Sequence, residues 1–388
     1  MRVKMCVCVF LGCLSVSAFS QEKELDLEER CLKEIEQSLS NEKFGPFDEL
    51  QAKLEFAMVK AHKEKTLPNQ TIKEIDCFIN EAALIFSDLM CKKVIMECAF
   101  DLQKAQRTCM LIPDLGTRIL GMLHLVLYFA KSNDLENAKK IYEEAYEIFP
   151  DLDYSDRVRL AKLQNALFVA QSCISYEDAF KSIEDLKDPR TKINMSTIVG
   201  FFLGTKDKKQ ARLFFEKARK DAEKLSSEIE KKTWRLIIAF NQSIYDREGA
   251  KEVFRRGLKE LDTVDRNEEL RFLGYLALLG ASLNDSRVAK ILKELTLLVD
   301  SISVKELQKK DILYSAIAVS EAFLGNAKKA VSFFNKIKQE EIKVESISVI
   351  VTKLSKQDFK KACDFISEIP DETLKARYLL MAVFRQYD

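Results

Sequence analysis

Eight segments of this chain place an alanine close to the start of a helical pattern, and successive alanines lie 33, 41, 32, 39, 39, 41 and 32 residues apart. They are Ala105, Ala138, Ala179, Ala211, Ala250, Ala289, Ala330 and Ala362. A period of roughly 30–45 residues with helical patterning means stacked helix pairs, each burying its apolar face against the next. An Asp or Asn before the helix can accept from its first free amides. The small anchor lets two helices approach closely. Four residues on, on the same face, sits a ring or a branched aliphatic side chain: Tyr142, Ile183, Phe215, Phe254, Phe334 or Ile366. Seven on comes Ala145, Ala218 or Gly257 in the better copies. Pro113, Pro150, Pro189 and Pro370 then end the run, because proline disfavours helix at the residue before it.

Turn residues are scarce, with Gly 11 and Pro 6 among 388. Average usage is about three times higher, and sheet proteins need turns, so long helices with short connections are expected. More apolar helices lie between the anchors, such as 191-TKINMSTIVGFFLG and 271-RFLGYLALLGAS. They are apolar nearly all round, as a helix packed between layers should be.

The pattern Ala-x3-[Phe/Tyr]-x2-Ala-x4-Pro is complete at Ala138, Tyr142, Ala145 and Pro150, and kept without the proline at Ala211, Phe215 and Ala218. It resembles the second helix of the tetratricopeptide repeat family. Trp234 and Ile237 fit the family's first-helix Trp and Leu positions, and Ala277 and Ala318 its small-residue position. Most copies lack the family's glycine, and their lengths depart from its period of about 34. The resemblance spans residues 100–388. It implies an all-α fold, a right-handed α-solenoid of stacked helical hairpins, with a concave groove that binds proteins or peptides.

Residues 1–20 read as a signal peptide. Arg2 and Lys4 give the positive start, Met5 to Val16 is almost continuously apolar or small, and Ala18-Phe19-Ser20 offers a cut before Gln21. The run is short for a membrane span, which needs about 20 apolar residues, and no later run is long enough. Phe10-Leu11-Gly12-Cys13 also resembles a bacterial lipoprotein box, although Phe10 stands where that box prefers Leu. The expectation is an exported protein, periplasmic or secreted, with a lipid anchor to the envelope through Cys13 as the alternative. Residues 21–99 are charged and amphipathic and are expected to form an N-terminal helical cap or divergent repeats.

Cleavage would leave 60 basic and 61 acidic residues, so no overall basic excess points to nucleic acid. Seven cysteines would remain: Cys31, Cys77, Cys91, Cys98, Cys109, Cys173 and Cys363. Their number is odd and their spacing lacks the rhythm of a zinc or redox site. They read as buried thiols, with one pair somewhere among the four cysteines from Cys77 to Cys109 as the alternative in an oxidising compartment.

No nucleophile or phosphate-cradling motif occurs, and His62 and His124 are the only histidines. No catalytic residue, cofactor or metal ligand is assigned. By the family likeness, first helices line the groove, and Lys232, Arg235, Gln242 and Arg271 would face inward. Such a strip could hold an acidic peptide or a C-terminal carboxylate. Leu120, Leu123, Leu127, Ile312 and Val319 fall at equivalent sites, which would leave the groove apolar or closed by tight coiling. Asn69, Asn194, Asn241 and Asn284 begin glycosylation sequences, which matter only for a eukaryotic source. The leading expectation is a non-enzymatic scaffold for a protein or peptide. The alternative from another class is a helical-scaffold hydrolase of cell-wall or sugar substrates using Asp or Glu. Partner identity and oligomeric state stay open.

Overall fold

The computed structural model describes residues 87–98, 101–152, 157–204, 207–261, 266–302 and 306–370, with Lys33, Phe56 and six positions between 374 and 383. The expected signal peptide at 1–20 with Cys13, Gln21, and most of the expected cap at 21–99 lie outside the described residues, as do Cys31, His62, Asn69 and Cys77. Every element among the described residues is helical. The chain forms two compact units that divide between Asp185 and Leu186.

In the first unit the helices are α1 (Ser87–Cys98), α2 (Leu102–Met110), α3 (Leu115–Lys131), α4 (Leu135–Ile148), α5 (Arg157–Ile174) and α6 (Tyr176–Asp185). They pair as hairpins, α1 with α2, α3 with α4 and α5 with α6, and α3 packs on both α1 and α5. The second unit continues with α7 (Pro189–Leu203), α8 (Lys208–Ala222), α9 (Glu228–Gln242), α10 (Arg247–Glu260), α11 (Arg266–Ser282), α12 (Val288–Ser301), α13 (Leu307–Phe323), α14 (Ala327–Phe334) and α15 (Glu340–Val349). A π-helical stretch, Ile350–Leu354, follows α15 directly, and α16 is Phe359–Ser367. First helices α7, α9, α11, α13 and α15 pack on one another in order; α7, α9, α11 and α13 each carry a second helix alongside, and α16 packs on the π-helical stretch, α13 and α14.

Anchors fall where the spacing puts them, in the second helix of each pair. Ala105, Ala138, Ala145, Ala179, Ala211, Ala218, Ala250, Ala330 and Ala362 are all at most 2% exposed. Phe215 is buried beside them, whereas Tyr142 is half-buried and stacks on Tyr146. Ala289 departs from the pattern: it is exposed, and α12 buries Val288, Ile291, Leu292, Leu295 and Val299. The larger Val288 fits because Gly280 faces it; a Cβ added there would sit 3.3 Å from the Cβ of Val288. In the α7–α8 pair the same closeness brings Gly200 onto Ala211 and Phe215.

Helix ends explain the short connections. After α3, α11 and α13 the chain takes a left-handed residue, Asn133 (φ 62°), Asn284 (φ 55°) and Gly325 (φ 84°). The next amide reaches five residues back: Asp134 to the Phe129 carbonyl, Asp285 to Gly280, Asn326 to Glu321. This Schellman closure satisfies orphan carbonyls. Asp134 then caps α4 by accepting from the Asn137 amide at 3.2 Å, so one turn ends a helix and starts the next. Asp101, Asp207, Asp246 and Asp358 cap their second helices in the same way. Asp311, buried in α13, does this for a neighbour: it accepts from the Lys338 and Gln339 amides at 3.1 and 2.8 Å, just ahead of α15.

The prolines act less uniformly than expected. Pro150 is exposed inside a 3₁₀ turn, Phe149–Asp151, that tightens the end of α4. Pro189 is the first residue of α7, where its missing N–H costs nothing, and does not terminate α6. Adjacent turns also hold each other. Tyr245 lies flat on Gly204, where a Cβ would come within 2.2 Å of its ring, and its hydroxyl donates to the Phe201 carbonyl.

The α12 register gives a sharp expectation. Val288→Asp should destabilise by more than about 3 kcal/mol by burying an unpaired carboxylate, whereas Ala289→Asp should stay within about 0.5 kcal/mol of the parent. Urea unfolding of both variants measures the difference; equal effects would mean the register is set at Ala289.

Candidate functional site

Of the expected groove residues, Lys232, Arg235 and Gln242 lie on first helix α9 and Arg271 on first helix α11. Arg235 is half-buried in α9 and is held from both sides. Its Nε lies 3.1 Å from Glu223 beyond α8, and its Nη1 lies 3.1 Å from Glu260 at the end of α10, which Arg256 also meets. Gln242 is buried, accepts from Arg219 at 2.6 Å and donates to Asp246 at 2.8 Å. Lys232 is half-buried in α9. Arg271 is exposed on α11, close to Tyr275, whose pKa is raised by burial, opposed by the Arg271 charge and assisted by Glu345 from α15. The four residues therefore do not make one basic strip. Arg235 ties α8, α9 and α10 together, Gln242 braces the α9–α10 turn, and Arg271 belongs to a mixed patch with Tyr275 and Glu345.

A different cation occupies the ends of these helices. Lys353 projects from the π-helical stretch, where Ile350, Val351, Thr352, Lys353 and Leu354 are all buried. Its Nζ donates to Asn241 Oδ1 at 2.8 Å, and Asn241 is fixed by donating to the Ile237 carbonyl at 2.8 Å. The same Nζ lies 3.7 Å from the centroid of Phe240 and 5.0 Å from that of Phe201. Phe323 packs edge-on to Phe240, with centroids 6.0 Å apart. Residues of α7 and α9 thus meet the amine of the π stretch, with Phe323 of α13 packed behind Phe240.

Two effects compete on that amine. Aromatic faces favour an ammonium, by about 0.5–2 kcal/mol. Burial favours the neutral amine and wins, lowering the pKa from 10.5 to about 7. A π turn changes the direction of the side chains along a helix, and such bulges concentrate at functional positions. Here it turns Lys353 onto rings from hairpins far earlier in the chain.

Other chemistry-bearing groups are packed away. His124 is buried in α3. Cys91, Cys98, Cys109 and Cys363 are buried and Cys173 is half-buried, and burial pushes the Cys109 thiol up to about 12. Asn194 and Asn241 lie inside helices, while Asn284 occupies its left-handed turn. Sequence reasoning passed over Lys353 and its rings. The signal available was a lone lysine inside the β-branched run 347-ISVIVTKL.

No known protein family matches this chain, and no curated protein matches it. Among solved structures, the crystal structure of Ton1535 from Thermococcus onnurineus NA1 is similar over 93% of this chain and 96% of that one, at 14% identity and a TM-score of 0.28. A likeness of that size carries no argument.

The Lys353 environment sets a pH dependence. Above about 7 the folded amine is neutral, while the unfolded chain keeps its proton up to 10.5. Folding therefore releases a proton between those values, and stability rises with pH across that window. Below about 7 both states are protonated and this contribution is constant. Lys353→Met should raise stability at pH 7 by about 1–4 kcal/mol, the range seen when buried charged groups are replaced by apolar ones of similar volume. The gain should shrink toward pH 10, read from urea midpoints at both pH values. A gain that grows with pH would overturn the assignment.

Proposed function

We propose that this chain is an exported, non-enzymatic helical-repeat scaffold of tetratricopeptide-like architecture. Its hairpins coil as a right-handed solenoid, and the face of its first helices receives a protein or peptide partner. The observation that carries the reading is the uninterrupted packing of α7, α9, α11, α13 and α15 on one another, with the second helices set to the side. A surface built from successive first helices repeats its side chains at regular intervals, which suits an extended polypeptide. The mixed patch of Arg271, Tyr275 and Glu345 offers charge of both signs around a ring, the composition of a peptide-binding face.

The test must spare the fold. Reversing Arg235 would bring a third carboxylate to Glu223 and Glu260, so only Lys232→Glu and Arg271→Glu are informative. The chain is crosslinked in its native compartment, the partner is identified by mass spectrometry, and the purified pair is titrated. A partner bound by the parent and weakened about tenfold or more by the double variant supports the first-helix face. A partner unaffected by both changes binds elsewhere. No stoichiometric partner would overturn the scaffold reading.

A further inference from the structure

Within the second unit the amine of Lys353 meets helices that are not its neighbours in the packing order. It touches α9 and α7, which come three and four places before α15 among the first helices. Phe201, Phe240 and Asn241 stand close to the carboxyl ends of those two helices. Together they make a box for one amine, with the ring centroids at 3.7 and 5.0 Å and the Asn241 side-chain oxygen at 2.8 Å. Each wall has its own support. Asn241 donates to the Ile237 carbonyl, the Phe201 carbonyl accepts from the Tyr245 hydroxyl, and Phe323 stands edge-on to Phe240. The walls therefore belong to the first helices, and Lys353 is delivered into them from the π stretch.

The delivery is unfavourable on two counts. A π stretch is a rare geometry that concentrates at functional positions. Burial opposes the charge of the amine, and an apolar side chain of similar volume is as stable or more stable at such a place. Stability alone does not account for a lysine here. Its chemistry does: ring faces and an amide oxygen are what an amine on an alkyl stem is recognised by. A contact that is unfavourable at its tip is also among the easiest to open locally.

We propose that Phe201, Phe240 and Asn241 form a binding site for a primary alkylamine, filled in this structure by the chain's own Lys353 as an internal ligand, and that a lysine side chain of the partner takes its place. Residues 350–354 are then a latch over that site. The identity of the competitor rests on the scaffold reading given above. The box and the latch do not, and their test uses no partner, so each reading can fail without the other.

Hydrogen exchange of the full chain, read by mass spectrometry, is the test. The probe is n-butylammonium chloride, which carries the lysine side chain's amine and stem. Sodium chloride at equal ionic strength and n-butanol are the controls. In the parent the probe competes with Lys353 for the open box. Once it is about ten times above its dissociation constant, mass action raises the open population, and the exchange of residues 350–354, about tenfold. Neither control should do so. Lys353→Ala leaves the box vacant, and there the same probe should act with the opposite sign, slowing exchange at residues 239–242. Circular dichroism checks that the variant is folded; the parent's response decides the question if it is not. Exchange of residues 350–354 that follows only the unfolding of the whole unit overturns the latch. A probe that changes nothing, or that n-butanol equals, overturns the amine site.

Discussion

Everything in this fold depends on how closely a second helix can approach its first. The approach is set by one small residue at the contact, and the structure supplies it from either side. Ala211 is the small member against α7, where Gly200 also clears the way. In α12 the contact residue is Val288, and Gly280 of α11 provides the room. Gly257 does the same in α10, where a Cβ would come within 2.7 Å of Leu276 and 3.2 Å of Leu236. Close packing at these points goes with fully buried rings such as Phe214, Phe215, Phe254 and Phe272. Once the hairpin is closed, its remaining apolar face has nowhere to go except the next hairpin.

This is why the hairpins were legible in the sequence. An alanine that must be small, an aspartate that must cap and a ring four residues on are local requirements, and local requirements leave a periodic trace. The misplaced register in α12 shows the limit of that trace. Ala289 satisfies the pattern by identity, but the contact needs only a small sum of volumes, and Val288 with Gly280 meets it. Periodicity reads one helix at a time, whereas packing is a property of two. Pro189 gives the same lesson: proline serves as readily at the start of α7 as at the end of α6.

The candidate site was less legible because its contacts join distant hairpins. Arg235 was expected to face a partner, but the ends of α8 and α10 on either side of α9 bring Glu223 and Glu260 to it. Nothing in the spacing of Arg235 itself reveals that. Lys353 is the extreme case, reaching Asn241 across 112 residues of chain. Its position depends on the π stretch that turns it and on the serial packing of α9, α11, α13 and α15. Both are invisible to a pattern that examines one repeat. The resulting buried amine destabilises the native state over much of the pH range and persists only because the surrounding rings and Asn241 leave it one geometry.

The repeated architecture also separates what must be kept from what can vary. Anchors and caps occupy the buried side and the ends of each second helix, leaving its outer side free of packing demands. Ala138 and Ala211 are equally buried, yet one belongs to an acidic helix and the other to a basic one. The sign of the outer surface can therefore drift or be selected repeat by repeat without disturbing the core. A sum over the whole chain averages this away, which is why a formal charge of +1 says nothing about its parts. For a fold of this kind the informative quantity is the charge of each outer face taken separately, because each face meets its surroundings on its own.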